Sequence, residues 1–301
     1  MPDLPDDVRR LAAERDERRR ARDFAAADLL RDRIADLGFR VVDGSEGPSL
    51  EPLEASAVSR VRPDDVGSVL HLEPRYDVTI QWVVEGWPED VARGLDAFRA
   101  HGGSRSTQFV VVDVAGLAAQ TFGGDVEVVP LIEGTGWAAA RNAGLRRSLG
   151  RVVVVVDGSI EPTGDVVGPL EAALADPSVG VCGPFGIVTR DLREFEPSDG
   201  PDVDAIEGYL MAFRREVLAD VGGFDERFRW YRTADIELSF RVKERGMRAV
   251  VVAVPVAKHE HRMWTAASED ERARWSKRNY NRFLDRFRGR FDLTVGGGRT
   301  G

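Results

Sequence analysis

A chain of 301 residues is longer than one hydrophobic core usually organises, so a single large α/β domain with an appendage is the natural expectation. Hydrophobic residues at 43% and charged residues at 31% exclude bulk disorder, and a net charge of -9 excludes a protein that coats nucleic acid through its overall charge. One cysteine leaves no disulfide framework; with no basic-then-apolar leader and no long apolar run, the chain reads as cytoplasmic, unanchored by a spanning segment and free to touch a membrane only peripherally.

In chain order, residues 1–42 read as a helical hairpin. Val8, Leu11 and Ala12 give the first helix a narrow apolar stripe. Asp23 can cap the second, in which Ala27, Leu30, Ile34 and Leu37 recur at helical spacing before Gly38 supplies a left-handed stop. From 43 to 75, Pro48, Pro52, Pro63 and Pro74 fall among Ser and Gly without a sustained period, and the segment is read as a linker.

From 76 to 262, apolar runs alternate with helical patterns. Strands are expected at 78–84, 109–112, 126–132, 151–156, 179–182 and 249–254, with helices near 88–100, 136–148, 165–175, 214–221 and 235–245. The run from Val152 to Val156 is apolar without alternation, as a strand covered by helices on both faces requires. The fold class is therefore α/β with a mostly parallel sheet and flanking helices. Cys182, in one of these runs, is expected to be buried and unreactive. The last region, 263–301, opens with Ser268-Glu269-Asp270-Glu271 at capping-box spacing and continues as a helix to about Arg288, ahead of a glycine-rich tail.

Ligands of an open parallel sheet collect at the carboxyl ends of its strands, so acids placed there are the first candidates. Asp113 follows the run 109–112, and Asp157 follows 151–156. An acid at a strand end also serves turns and caps, so position alone leaves both roles open. Gly208, Gly222 and Gly223 suit turns, and Trp230-Tyr231 suits either a core or a sugar-stacking platform.

The order of motifs resembles family 2 glycosyltransferases. Gly136-Trp137-Ala138-Ala139-Ala140-Arg141-Asn142-Ala143-Gly144 is similar to that family's G-x-x-x-A-R-N-x-G segment, and Asp157-Gly158-Ser159 stands at its D-x-D position. Residues 208–215 and then Gly222-Gly223-Phe224-Asp225 resemble its acceptor-side signature. Ala234-Asp235-Ile236-Glu237-Leu238 is similar to E-D-x-D-L, and Pro255 to His261 resembles its proline-to-histidine ending.

The resemblance implies a GT-A fold, Rossmann-like, that moves a sugar from a nucleoside-diphosphate sugar to an acceptor hydroxyl with inversion. It implies that Asp235 takes the acceptor proton, Asp113 accepts hydrogen bonds from the nucleotide base and Arg141 donates near the nucleotide. Asp157 would reach a metal or the ribose, and His261 would complete a site for a divalent cation, Mn²⁺ or Mg²⁺. The pattern departs from the family at Ser159 and Ala234, where acids are usual, and after Asp113, where a second acid is missing. A nucleotide-sugar-binding relative without turnover is the alternative those departures leave open.

The hairpin has its own resemblance. Leu11-Ala12-Ala13-Glu14-Arg15, Ala21-Arg22-Asp23-Phe24 and the residues after them look like the C-terminal helical element of cysteinyl-tRNA synthetases, whose catalytic body is missing from this sequence. That implies a hairpin able to meet a partner protein or RNA, and leaves open a third reading in which the α/β domain is a scaffold for tRNA binding.

Overall fold

The structure, a computed structural model, describes residues 6–21, 23, 24, 26, 27, 30, 31, 34, 39–44, 47–52, 59–117 and 119–297. The chain divides into two units, Met1–Arg60 with Ala118–Gly123, and Val61–Leu117 with Gly124–Gly301.

In the smaller unit, helix α1 (Asp6–Arg20) turns the expected stripe inward: Val8 and Leu11 are buried with Ile34, and Ala12 and Leu30 pack against them. Residues 24, 26, 27, 30, 31 and 34 of the second pattern are helical, whereas Leu37 and Gly38 lie outside the described residues. Strands β1 (Phe39–Gly44) and β2 (Gly47–Pro52) then pair antiparallel, with Val41 opposite Leu50, and Phe39, Val41 and Leu50 join the helical cluster. The first part of the segment read as linker therefore holds a strand. Pro48 and Pro52 hid it; they pair with Asp43 and Phe39, and each strand of a two-stranded ribbon has an outward side on which a residue without an N–H costs no ladder bond.

The larger unit begins earlier than Tyr76. Val61 bridges Leu131, and Val66 is buried in one cluster with Val83, Val110 and Val129. Its first elements are β3 (Tyr76–Val84), α2 (Pro88–His101), β4 (Thr107–Asp113), β5 (Val126–Pro130), α3 (Trp137–Arg146), β6 (Gly150–Val156), β7 (Ile160–Pro162), α4 (Val167–Leu174), β8 (Val179–Gly183), β9 (Gly186–Thr189) and β10 (Phe195–Ser198). After them come β11 (Asp202–Val203), β12 (Ala205–Ile206), β13 (Leu210–Arg214), α5 (Arg215–Val221), α6 (Ala234–Glu244), β14 (Arg248–Val251), β15 (Val256–Lys258), α7 (Arg262–Ala266) and α8 (Glu269–Phe287).

Eight strands form the central sheet in the order β11-β14-β8-β13-β6-β3-β4-β5. Strands β6, β3, β4 and β5 run parallel, as does β14 beside β8, while β13 lies antiparallel between β6 and β8. The valines of β6 are buried as the unalternating run requires: Val153 and Val155 share a cluster with Phe213, Leu218 and Leu238. Helix α3 lies close on β3 because Gly144 has no side chain; a Cβ there would stand 2.0 Å from Gln81 Nε2, which donates to the Arg141 carbonyl at 2.8 Å.

Helix α8 starts with the expected capping box, Ser268 and Glu271 each accepting from the other's backbone N–H. It buries Phe283 and Phe287 against Phe240 and Leu192. Cys182 is fully buried, and burial pushes its thiol up to about 12, so it is inert as expected.

Candidate active site

The carboxyl ends of β3, β4 and β6 lie side by side, and each continues into an acid: Glu85, Asp113 and Asp157. The three acids have different surroundings. Asp113 is fully buried, and its carboxylate accepts from the backbone N–H groups of Ala115, Gly116 and Leu117 at 2.8, 3.0 and 2.9 Å. Three such bonds fold the loop after β4 around the side chain. Here the residue expected to read a nucleotide base organises its own turn.

Asp157 faces a cleft. Ser159 donates to its Oδ1 through the hydroxyl at 2.5 Å and through the backbone at 2.9 Å, and His261 Nε2 lies 3.2 Å from Oδ2. Burial pushes the carboxyl up, but the His261 and Ser159 hydrogen bonds outweigh it and hold the group below the ordinary carboxylate range. His261 caps α7, its Nδ1 accepting from Trp264 N–H at 3.2 Å. In the neutral ring that leaves the proton on Nε2, facing Asp157. The His261 ring also lies 4.5 Å from Tyr231 and 5.7 Å from Tyr209, centroid to centroid.

Arg141 is buried behind this pair. Its guanidinium donates to the carbonyls of Gln81 at 3.2 Å and Val156 at 3.0 Å, tying the ends of β3 and β6 together, and lies 5.3 Å from the Trp137 ring centroid. Burial lowers it to about 10, with Asp157 and Glu85 holding it up, so it remains a cation at neutral pH. Its neighbour Asn142 donates to the Phe224 carbonyl at 2.8 Å and accepts from Phe224 N–H at 2.8 Å. The Arg-Asn pair thus anchors the sheet ends and the loop that follows α5, rather than presenting donors to the cleft.

Asp235 stands in the first turn of α6. Its Oδ2 accepts from Gly208 N–H at 2.7 Å and its Oδ1 from Ile236 N–H at 2.9 Å. Burial raises its proton affinity above that of an ordinary carboxylate despite those bonds. The residue before the helix, Thr233, sits at φ 70, a left-handed conformation that is costly for a β-branched side chain and often marks a constrained functional turn.

Asp157, His261 and Asp235 line one cleft of about 800 Å³, whose walls include Trp137, Tyr209, Tyr231 and Trp264. Two further acids belong to this region. Glu207 shares the cleft, and burial, with Asp235 nearby, raises it. Glu85 lies beside Asp157 in an adjoining crevice, where burial raises it to about 7 and the Asp157 charge acts the same way, while Arg141 and His261 oppose. Glu85 could have been found by the strand-end criterion that selected Asp113 and Asp157. His259, by contrast, pairs with Glu161 at 2.6 Å and takes no part in the cleft.

Among the described residues no three His, Cys, Asp or Glu side chains converge on a cation position. The donor set nevertheless suits a cation that arrives with a diphosphate, since Mg²⁺-like ions take one or two protein groups and complete their shell with phosphate and water oxygens. Asp157 supplies the carboxylate. His261 supplies an imidazole once its proton moves to Nδ1, and Trp264 N–H can release that atom because it also bonds the His261 carbonyl at 2.9 Å.

A family model described as glycosyltransferase like family 2 matches residues 192–277, a span that holds Asp235 and His261. The pre-mycofactocin glycosyltransferase of Mycobacterium tuberculosis is 28% identical over 156 residues, 46% of this chain and 33% of that protein. A cysteine–tRNA ligase of Chlamydia pneumoniae is 46% identical over 50 residues, 17% of this chain and 10% of that protein. The chain therefore spans about a third of one curated relative and a tenth of the other.

Among solved structures, GalNAc-T7 with UDP, GalNAc and Mn²⁺ aligns at a TM-score of 0.57 and 16% identity, covering 70% of this chain and 48% of that one. The mannosyltransferase PcManGT from Pyrobaculum calidifontis, in complex with GDP-Man and Mn²⁺, aligns at 0.52 and 23% identity, covering 73% and 67%. The fold is that of GT-A glycosyltransferases, as the order of motifs implied.

Proposed function

We propose that the larger unit transfers a sugar from a nucleoside-diphosphate sugar to an acceptor hydroxyl with inversion at the anomeric carbon. The observation that carries this reading is the pairing of two unlike carboxylates in one cleft. Asp157 is held ionised beside His261 at the end of β6, and Asp235 is buried with raised proton affinity. Two acids pushed apart in this way suit different tasks.

Asp157 and His261 would hold a divalent cation together with the diphosphate, and that cation would neutralise the charge that develops on the leaving group. Arg141 keeps the strand ends and the Asp157 backbone in register behind them. Asp235 accepts the proton of the acceptor hydroxyl as its oxygen bonds to the anomeric carbon; the bond from that carbon to the phosphate oxygen breaks, and the nucleoside diphosphate leaves with the electron pair. The two backbone amides fix the carboxylate without saturating it, since each oxygen retains a lone pair. Tyr209, Tyr231 and Trp264 give the cleft flat apolar faces suited to a sugar ring or base.

A reading as a binding relative without turnover is favoured by one feature: Ser159, where the family has an acid, spends its hydroxyl on Asp157. For the smaller unit we infer a role in meeting a partner protein or RNA, which salt-sensitive tRNA binding by the whole chain would support.

Thermal melting with a panel of nucleoside diphosphates, with and without Mn²⁺ or Mg²⁺, tests the binding half of the proposal. One nucleotide should stabilise the protein, the metal should increase the effect, and Asp157→Asn should reduce it. Stabilisation by no nucleotide under any condition contradicts both the transferase and the binding reading.

A further inference from the structure

The cleft holds more positive charge than the reaction above uses. Arg193, Arg232 and Lys277 all line it, and all three are exposed. Among the described residues no carboxylate forms an ion pair with any of them, whereas Arg227, Arg262 and Arg286 are each paired with an acid. With 51 acids against 42 Lys and Arg, the chain does not lack partners for them. Arg232 is accounted for: it stacks over Trp264 at 4.9 Å, and its charge acts on Glu207 and Asp235. Arg193 acts by charge on Asp191 and Tyr280, but among the described residues neither it nor Lys277 stacks on a ring or forms an ion pair.

The backbone that carries Arg193 is fixed without a ligand. Arg193 projects from the turn between β9 and β10, where Leu192 sits at φ 60 with its side chain buried against Phe240, Phe283 and Phe287. Such a conformation is costly for a non-glycine residue and persists only where its surroundings impose it. Asp191 Oδ1 accepts from the backbone N–H of Arg193 at 2.8 Å and of Glu194 at 3.0 Å, and Tyr280 donates its hydroxyl to the Leu192 carbonyl at 3.2 Å. Tyr280 and Lys277 lie three apart on α8 and so share a face, which brings Lys277 to the same turn.

The lining residues fall into two groups. Asp157 and His261 belong with Tyr209 and Tyr231, whereas Ile236, Phe195 and Tyr280 belong to the aromatic cluster under Arg193. Asp235 joins them, bonded to Gly208 beside Tyr209 and followed directly by Ile236. On the glycosyltransferase reading, the diphosphate sits with the first group, and an acceptor presenting its hydroxyl to Asp235 extends over the second.

We infer that Arg193 and Lys277 bind an anionic group, a carboxylate or phosphate, on the acceptor, and that the acceptor is therefore an anionic hydroxyl compound. The guanidinium fork sets the orientation of the anion and the ammonium adds a point charge. This inference rests on the transferase reading.

Calorimetric titration of the whole chain with glycerol 3-phosphate, and separately with glycerol, at a saturating nucleoside diphosphate concentration tests it. Glycerol 3-phosphate should bind and glycerol should not. Arg193→Ala and Lys277→Ala should each weaken binding about tenfold, Lys277→Arg should restore most of it, and nucleoside diphosphate affinity and melting temperature should stay unchanged. Absent binding, or equal binding by wild type and both Ala variants, overturns the inference. So does binding that the nucleoside diphosphate displaces, because the cations would then serve the donor. A wild type that binds no nucleoside diphosphate removes the transferase reading itself, and the inference falls with it.

Discussion

Asp235 has two backbone donors, and an amide in its place accepts from only one. Asp235→Asn therefore removes a proton acceptor and one hydrogen bond, a stability loss of about 1 kcal/mol, while transfer should fall about 10² to 10⁴-fold. Because burial raises its proton affinity, the acid limb of kcat/KM against pH should lie above the ordinary carboxylate range; a limb at or below that range would deny Asp235 the role of base. Glu85 gives a cleaner sign. Its proton is held to about 7 in the fold against an ordinary 4.5, so its contribution to stability is full below 4.5 and is lost as pH rises through 7. Glu85→Gln stays neutral, so its melting advantage over wild type should be larger at about pH 8 than at about pH 5; an equal difference at both would refute the burial argument. Asp113 and Glu85 also show what the sequence could convey. Both occupy strand ends, yet only the folded loop reveals that one carboxylate is spent on three amides and the other is not.

At the scale of elements, the parallel strands and their helices were legible because covered strands leave unalternating apolar runs and helices leave three-and-four spacing. β13 was not. Its run Leu210-Met211-Ala212-Phe213 is equally apolar, but it lies inside a segment read for its motif, and an antiparallel strand between parallel ones has no signature of its own. The two-residue strands β11 and β12 are too short to carry any period. The glycines after α5 suit turns, and Gly223 bears this out: its φ is 72, and a Cβ there would stand 2.5 Å from Asn142 Oδ1. Gly223→Ala should destabilise by about 1–3 kcal/mol. Ser268→Ala should remove the capping box at α8 for about 1 kcal/mol. Denaturant unfolding measures both, and a neutral Gly223→Ala would show that this loop can move away from Asn142.

At the scale of the molecule, the boundary matters most. Proline content suggested that 43–75 is a tether, but its later part packs into the larger unit: Val66 is in the core, Arg146 donates to the Pro63 carbonyl at 2.5 Å, and Arg215 donates to the Leu72 carbonyl. A fragment 61–301 should fold and bind nucleotide, whereas 76–301 should melt lower or aggregate. Equal stability of the two would return 61–75 to the tether.

In the proposed reaction this cleft breaks the bond between a sugar and a nucleoside diphosphate with Asp235 as the base. The direct measurement is nucleoside diphosphate release from a panel of nucleoside-diphosphate sugars, with Mn²⁺ or Mg²⁺ and with glycerol 3-phosphate as a hydroxyl acceptor, by wild type and by Asp235→Asn. At least one donor should be turned over by wild type, with release falling about 10² to 10⁴-fold in the variant while donor affinity holds. Full release by Asp235→Asn would remove the base, and no release by wild type from any donor would leave a protein that binds without transferring.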